Sequence, residues 1–147
     1  MNEINFFVPL DEIPKRTAQQ KGVTIVNGKP HFYTKNNLKD VFDFYYFVFR
    51  PFKPDAPFLG QVHLKIEFHY PTKKPHKEGE GKITRPDVDN LAKLPIDVFT
   101  KLGFWVDDSQ ITKLLLTKQY SEQAGIKVYI AEYDKKQRFD DRGRPII

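Results

Sequence analysis

The chain contains no cysteine. Disulfide staples and thiolate-bound metals are therefore excluded. No apolar run is long enough to span a bilayer as a helix, and the N-terminus lacks a charged stretch followed by an apolar signal core. These absences lead to the expectation of a soluble, intracellular protein. Internal repeats and low-complexity blocks are also absent. Acidic residues are in the minority, 19 against 24 Lys and Arg, which leaves a net charge of +5 and a pI near 9.3. A basic surplus favours a polyanionic partner, although many basic faces are merely solvated. It matters here because the few acids cluster.

What is present fits one modest domain. A length of 147 residues with 39% hydrophobic content supplies a single core. Residues 2–8 read as a short strand and 11–21 as a polar, basic loop. Asn27-Gly28 between VTIV and KPHFY is a strong hairpin signal, because both residues tolerate the positive φ of a type I′ turn. Residues 36–50 carry helical spacing (Leu38, Val41, Phe42, Tyr45, Tyr46, Phe49) but are rich in strand formers; a buried helix is expected, in the core or a subunit interface. Residues 61–70 alternate, with Val62, Leu64, Ile66, Phe68 and Tyr70 on one face. A Lys-, Gly- and Pro-rich loop follows over 71–84. A helix of about residues 89–102 comes next, then strands near 104–107, 110–119 and 126–133. The expected fold is α+β: a single domain over 1–134 with a mixed β-sheet and two main helices, followed by a charged, disorder-prone tail over 135–147.

The chemistry concentrates in RPDVDNLAK, residues 85–93. If Asp87 to Asp89 is extended, the two carboxylates share a side and repel, a conflict that a hard cation with oxygen ligands such as Mg²⁺ resolves. An isolated Asp-x-Asp is not diagnostic, since Asp89 also suits a helix N-cap and Asx-rich turns are common. Leu91, Leu94, Val98, Phe99 and Leu102 make an apolar stripe, and Asp89, Lys93 and Asp97 recur at i, i+4 on another side. Lys93 is then either half of a surface ion pair or a cation beside the reacting phosphate. Pro95 removes a backbone donor inside this helix, so a kink or a late regular start is expected. Asp107-Asp108 follows Phe104-Trp105; a turn accounts for such a pair, and adjacent strand residues point to opposite faces, so one of the two is expected at a site.

Together DVDNLAK (87–93), Asp97 and TKLGFWVDDSQI (100–111) resemble the RusA family of Holliday junction resolvases. The clear resemblance covers about residues 84–120. It implies a Mg²⁺-dependent homodimer, with Mn²⁺ able to substitute, that cuts four-way DNA junctions symmetrically in recombination and repair. It assigns the essential carboxylates to Asp87, Asp89 and Asp108, the catalytic lysine to Lys93 and a neighbouring acidic position to Asp107. Pro95 departs from the small helix former expected at its position. The family's basic N-terminal region corresponds loosely to Lys15, Arg16 and Lys21. Lys73, Lys74, Lys77, Lys82 and Arg85 are further candidates for holding DNA phosphates, and Phe32 or Tyr33 for stacking on bases. A cytoplasmic enzyme of bacterial or phage origin follows from the resemblance. Three other readings compete: a flap or branched-DNA nuclease of the same fold, a non-catalytic DNA-binding module, and a nucleotide-sugar transferase using Asp-x-Asp.

Overall fold

In the computed structural model, which describes residues 2–17, 21–34, 38–133 and 138–146, β-branched and aromatic alternation produces the main sheet. Strands β1 (Asn2–Pro9), β4 (Gln61–Pro71), β5 (Ile111–Ser121) and β6 (Gly125–Tyr133) pair in the order β1-β6-β4-β5. Only β4 and β5 run parallel, so the sheet is mixed. Val62, Leu64, Ile66 and Phe68 are buried on one face of β4, as their spacing predicts. Phe6, Val8, Ile126, Val128 and Ile130 continue that face across the register.

Helices α1 (Lys39–Phe49) and α2 (Val88–Leu102) join these strand residues in one hydrophobic cluster. Aromatic rings do much of the packing: Phe49 and Phe99 lie 4.5 Å apart between centroids, and Phe99 meets Phe104 edge-on at 4.9 Å. Val41, Tyr45 and Phe49 are buried in this core, so the chain itself uses the aromatic segment that was an interface candidate. Phe47 stays outside, 68% exposed. The Asn27-Gly28 hairpin forms as expected between β2 (Lys21–Val26) and β3 (Lys29–Thr34), with φ of 52° and 78° at its two turn residues.

Four local expectations need correction. Residues 104–107 are not a strand; Trp105 makes a single bridge to Phe58 and is buried at 1% exposure, its indole N–H donating to Thr100 Oγ1 at 2.8 Å. α2 starts early, at Val88, and runs unbroken through a buried Pro95. The 11–17 segment is not simply polar, because Ile13 is 2% exposed and anchors it to the core. The described part of the charged tail forms a small hairpin, β7 (Arg138–Phe139) with β8 (Pro145–Ile146), whose turn Asp140 closes by accepting from the Arg142 and Arg144 backbones and the Arg144 side chain. Among the described residues, no helix is long and apolar enough to cross a membrane.

Candidate active site

β4, α2 and β5 form a β–α–β crossover, which puts the start of α2 at the carboxyl ends of two parallel strands. Crevices at such ends are habitual ligand sites in parallel sheets. Asp87 occupies the N-cap of α2 in an extended conformation (φ −66°, ψ 140°), and its backbone carbonyl accepts from Leu91 N at 3.0 Å. Its carboxylate makes no capping hydrogen bond and stays exposed. Asp89 lies in the first helical turn. The expectation that both residues are extended, with Asp89 as a possible cap, is thus replaced: one carboxylate precedes the helix and one sits on its first turn. Both remain at the positive end of the helix dipole, which favours carboxylates there.

Lys118 fixes this corner. It lies on the core-facing register of β5, opposite Phe68. Its ammonium donates to the carbonyls of Thr84 at 2.6 Å and Pro86 at 2.7 Å, the residues that lead into Asp87. Sequence reading gave Lys118 no role. The available signal was a lysine at a position where alternation calls for an apolar side chain. One turn into α2, Lys93 Nζ donates to Asn90 Oδ1 at 3.4 Å rather than pairing with Asp89.

The basic candidates gather here unequally. The loop after β4 folds back along the free edge of β5, with Gly79 N on Tyr120 O at 2.8 Å and Lys82 N on Lys118 O at 3.1 Å. This places Lys77 5.5 Å from the Tyr120 ring centre and Lys82 5.0 Å from that of Tyr70. Lys15, Lys82 and Arg85 line a cavity of about 720 Å³ together with Asp87. Lys73 and Lys74 are exposed in the same loop. Arg16 instead pairs with Asp40. The side chains of Lys21, Phe32 and Tyr33 lie outside the described residues.

The second acidic pair is elsewhere. Asp107 caps a single helical turn, Asp108–Gln110, that leads into the opposite end of β5. Ser109 Oγ donates to the Asp107 carboxylate. Asp108 faces Asp97, whose carboxyl is held above its usual pKa by burial and by the Asp108 charge. Eight residues of helix separate Asp97 from Asp89, about 12 Å of axis. A single chain therefore does not bring Asp108 to Asp87 and Asp89. Among the described residues, no group of three His, Cys, Asp or Glu could hold a metal ion.

Residues 12–131 match the family model for endodeoxyribonuclease RusA. The chain is 35% identical over 132 residues to a crossover junction endodeoxyribonuclease rusA of Lactococcus phage r1t, covering 88% of this chain and 98% of the phage protein. It is 30% identical over 120 residues to the uncharacterized protein YqaN of Bacillus subtilis (strain 168), covering 74% and 84% of the two chains. It is also similar to the crossover junction endodeoxyribonuclease RusA of Escherichia coli (strain K12), 34% identical over 64 residues, 44% of this chain and 45% of that one. A match spanning β4, β5, most of β6, both helices and both acidic segments makes the chain a member of the endodeoxyribonuclease RusA family.

Proposed function

We propose that the chain is a Mg²⁺-dependent DNA endonuclease that resolves four-way junctions by phosphodiester hydrolysis and works as a two-fold homodimer. The observation that carries this reading is the pair Asp87 and Asp89 at the start of α2, with Lys15, Lys82 and Arg85 lining the cavity beside Asp87. Carboxylates amid cations suit a phosphate substrate, since the cations hold the DNA backbone and the acids hold a metal against it.

The donor set fits Mg²⁺. The Asp87 carboxylate is uncommitted to capping, and Asp89 follows two residues on, in the first turn. One or two carboxylates plus water satisfy the usual coordination of this ion. When bound, the ion supplies activation of water and charge stabilisation at the phosphorus. Lys93, bonded to Asn90 in the same part of the helix, would hold the attacking water or offset charge on the phosphate. Lys15 and Arg85 would steady the flanking phosphates.

Asp108 enters this reading through a second copy. Two symmetric cuts call for two sites related by a two-fold axis, which a cyclic dimer provides. The same axis can carry Asp108 of one chain to the Asp87–Asp89 corner of the other. Leu114 and Leu115, 46% and 48% exposed on the stretch of β5 next to that acidic turn, offer apolar surface for such contact.

A cleavage assay tests the reading. The wild type and Asp89→Asn are compared on a four-way junction, a flap, duplex and single-stranded DNA, with Mg²⁺ or Mn²⁺ supplied and withheld. Paired, metal-dependent cuts in the junction by the wild type alone are expected. Equal cleavage by Asp89→Asn ends the proposal, and a preference for the flap moves it to a branched-DNA nuclease.

A further inference from the structure

The cavity beside Asp87 has a composition that phosphate binding does not explain. Its volume, about 720 Å³, falls in the range of pockets that enclose a small ligand. Part of its wall is aromatic and apolar: Tyr70 and Tyr120 are register partners on the parallel strands, and the buried Ile13 lines it with them. The cations Lys15 and Arg85 and the acids Glu12 and Asp87 are exposed, and Lys82 is half-buried with its ammonium 5.0 Å from the Tyr70 ring centre. Those charges account for phosphates at the mouth but not for the rest of the wall. Polar groups that can read an uncharged edge are present as well. Thr17 is a buried polar residue on the lining, and the Asn90 amide keeps its two N–H donors unpaired among the described residues. The Tyr70 hydroxyl is sealed from solvent near the buried Tyr45, so Tyr70 gives the cavity its ring and not its donor.

We infer that this cavity takes one unpaired nucleotide of the DNA strand, next to the phosphate being cut, with the base against Tyr120 and its edge met by Asn90 and Thr17. The inference rests on the nuclease reading above. A paired base cannot enter such a cavity, so occupancy requires a nucleotide freed from its partner, as at the centre of a junction. Asp87 on the rim ties the pocket to the cleavage point. The pocket then makes cleavage depend on which base lies beside the cut.

Junctions carrying 2-aminopurine at each nucleotide within two of the crossover test this. One position is expected to change fluorescence on binding without divalent metal, and the change is expected to vanish in Tyr120→Ala. Tyr120→Ala should also cut the normal junction about tenfold more slowly, the scale of one lost base stack, yet match the wild type on a junction abasic at that position. Thr17→Val guards against misfolding, because it keeps the shape of the side chain and its melt reports the fold; it is expected to alter the ranking of the four bases at that site. Equal slowing of Tyr120→Ala on normal and abasic junctions, with base ranking intact in a folded Thr17→Val, overturns the pocket while leaving the nuclease reading in place. A wild type that neither binds nor cuts the junction overturns both.

Discussion

Gln110 donates its side-chain amide to the carbonyl of Gly60 at 3.0 Å, across fifty residues of sequence. The same amide donates to Phe58 O at 2.8 Å, and its oxygen accepts from Val106 N at 2.8 Å and Asp107 N at 2.9 Å. All four bonding directions of one side chain are used. The acidic turn that carries Asp108 is thereby tied to the segment entering β4. Replacing Gln110 with Ala removes these partners from a half-buried site, for an expected loss of about 1–3 kcal/mol. Gln110→Glu keeps the size but turns the donor into an acceptor facing two carbonyls, so it should be no better. Thermal melts read the stability. Cleavage at graded Mg²⁺ reads the placement of Asp108, and both variants should need more metal for half-maximal rate. Unchanged metal demand in a destabilised variant would show that Gln110 serves only folding.

Lys118→Met keeps the long stem and removes the two bonds to Thr84 and Pro86 carbonyls. The corner before Asp87 then loses its tether. Displacements of an ångström in a catalytic group can cost up to about 100-fold in rate, so a loss of 10- to 100-fold is expected. Because the ammonium is already engaged with carbonyls, the salt dependence of junction binding should not move. Arg85→Ala provides the contrast: it should lower the slope of log K against log salt by about 1. A slope change in Lys118→Met would place that lysine on a phosphate instead.

Glu132 offers a pH readout of the same framework. Its carboxylate accepts from Leu59 N at 2.7 Å, Gly60 N at 3.0 Å and Asn2 Nδ2 at 2.8 Å. Burial alone would push its pKa up, but the bonds from Gly60, Asn2 and Leu59 prevail and hold it below the usual 4.5. A depressed carboxylate pKa means stability that is present above pH 4.5 and lost as pH falls through the lower folded value. Glu132→Gln should therefore cost about 1 kcal/mol at pH 7, a figure reduced for solvent exposure. The gap between variant and wild type should narrow below pH 4.5. A gap constant from pH 7 to pH 3 would assign the loss to shape rather than charge.

Much of the fold was legible because its signals are periodic. β4 alternates over ten residues, and Asn27-Gly28 has one favoured turn, so both formed where expected. Short-range placement was legible too: Asp87, Asp89 and Lys93 do fall at the start of one helix. What escaped the sequence depends on distances it does not encode. Asp87 and Asp89 straddle a helix start, so the strand rule that put both on one side did not apply. Asp108 stands close in the motif but folds to the far end of β5. Lys118 and Gln110 act through carbonyls contributed by remote segments, and no local pattern names those partners. Tyr70 and Tyr120 become neighbours only through the parallel register of β4 with β5.

The separation of Asp108 from Asp89 makes a sharp demand on the dimer. If each site combines Asp87 and Asp89 of one chain with Asp108 of another, the variants Asp89→Asn and Asp108→Asn are both inactive alone. Mixed as a heterodimer, they behave differently. One site collects both substitutions, and the other collects neither, because the Asp108→Asn chain supplies intact Asp87 and Asp89 while the Asp89→Asn chain supplies intact Asp108. The mixture should thus regain junction nicking, with half the dimers mixed at equal ratio if subunits exchange freely, and with one cut per junction rather than two. Sites built within single chains would leave every site carrying one substitution, and mixing would restore nothing. Subunit exchange followed by counting single against paired cuts decides between the two. A mixture as dead as its components, under exchange verified by tagged chains, would require Asp108 to act within its own chain, about 12 Å of helix away from the Asp87–Asp89 corner.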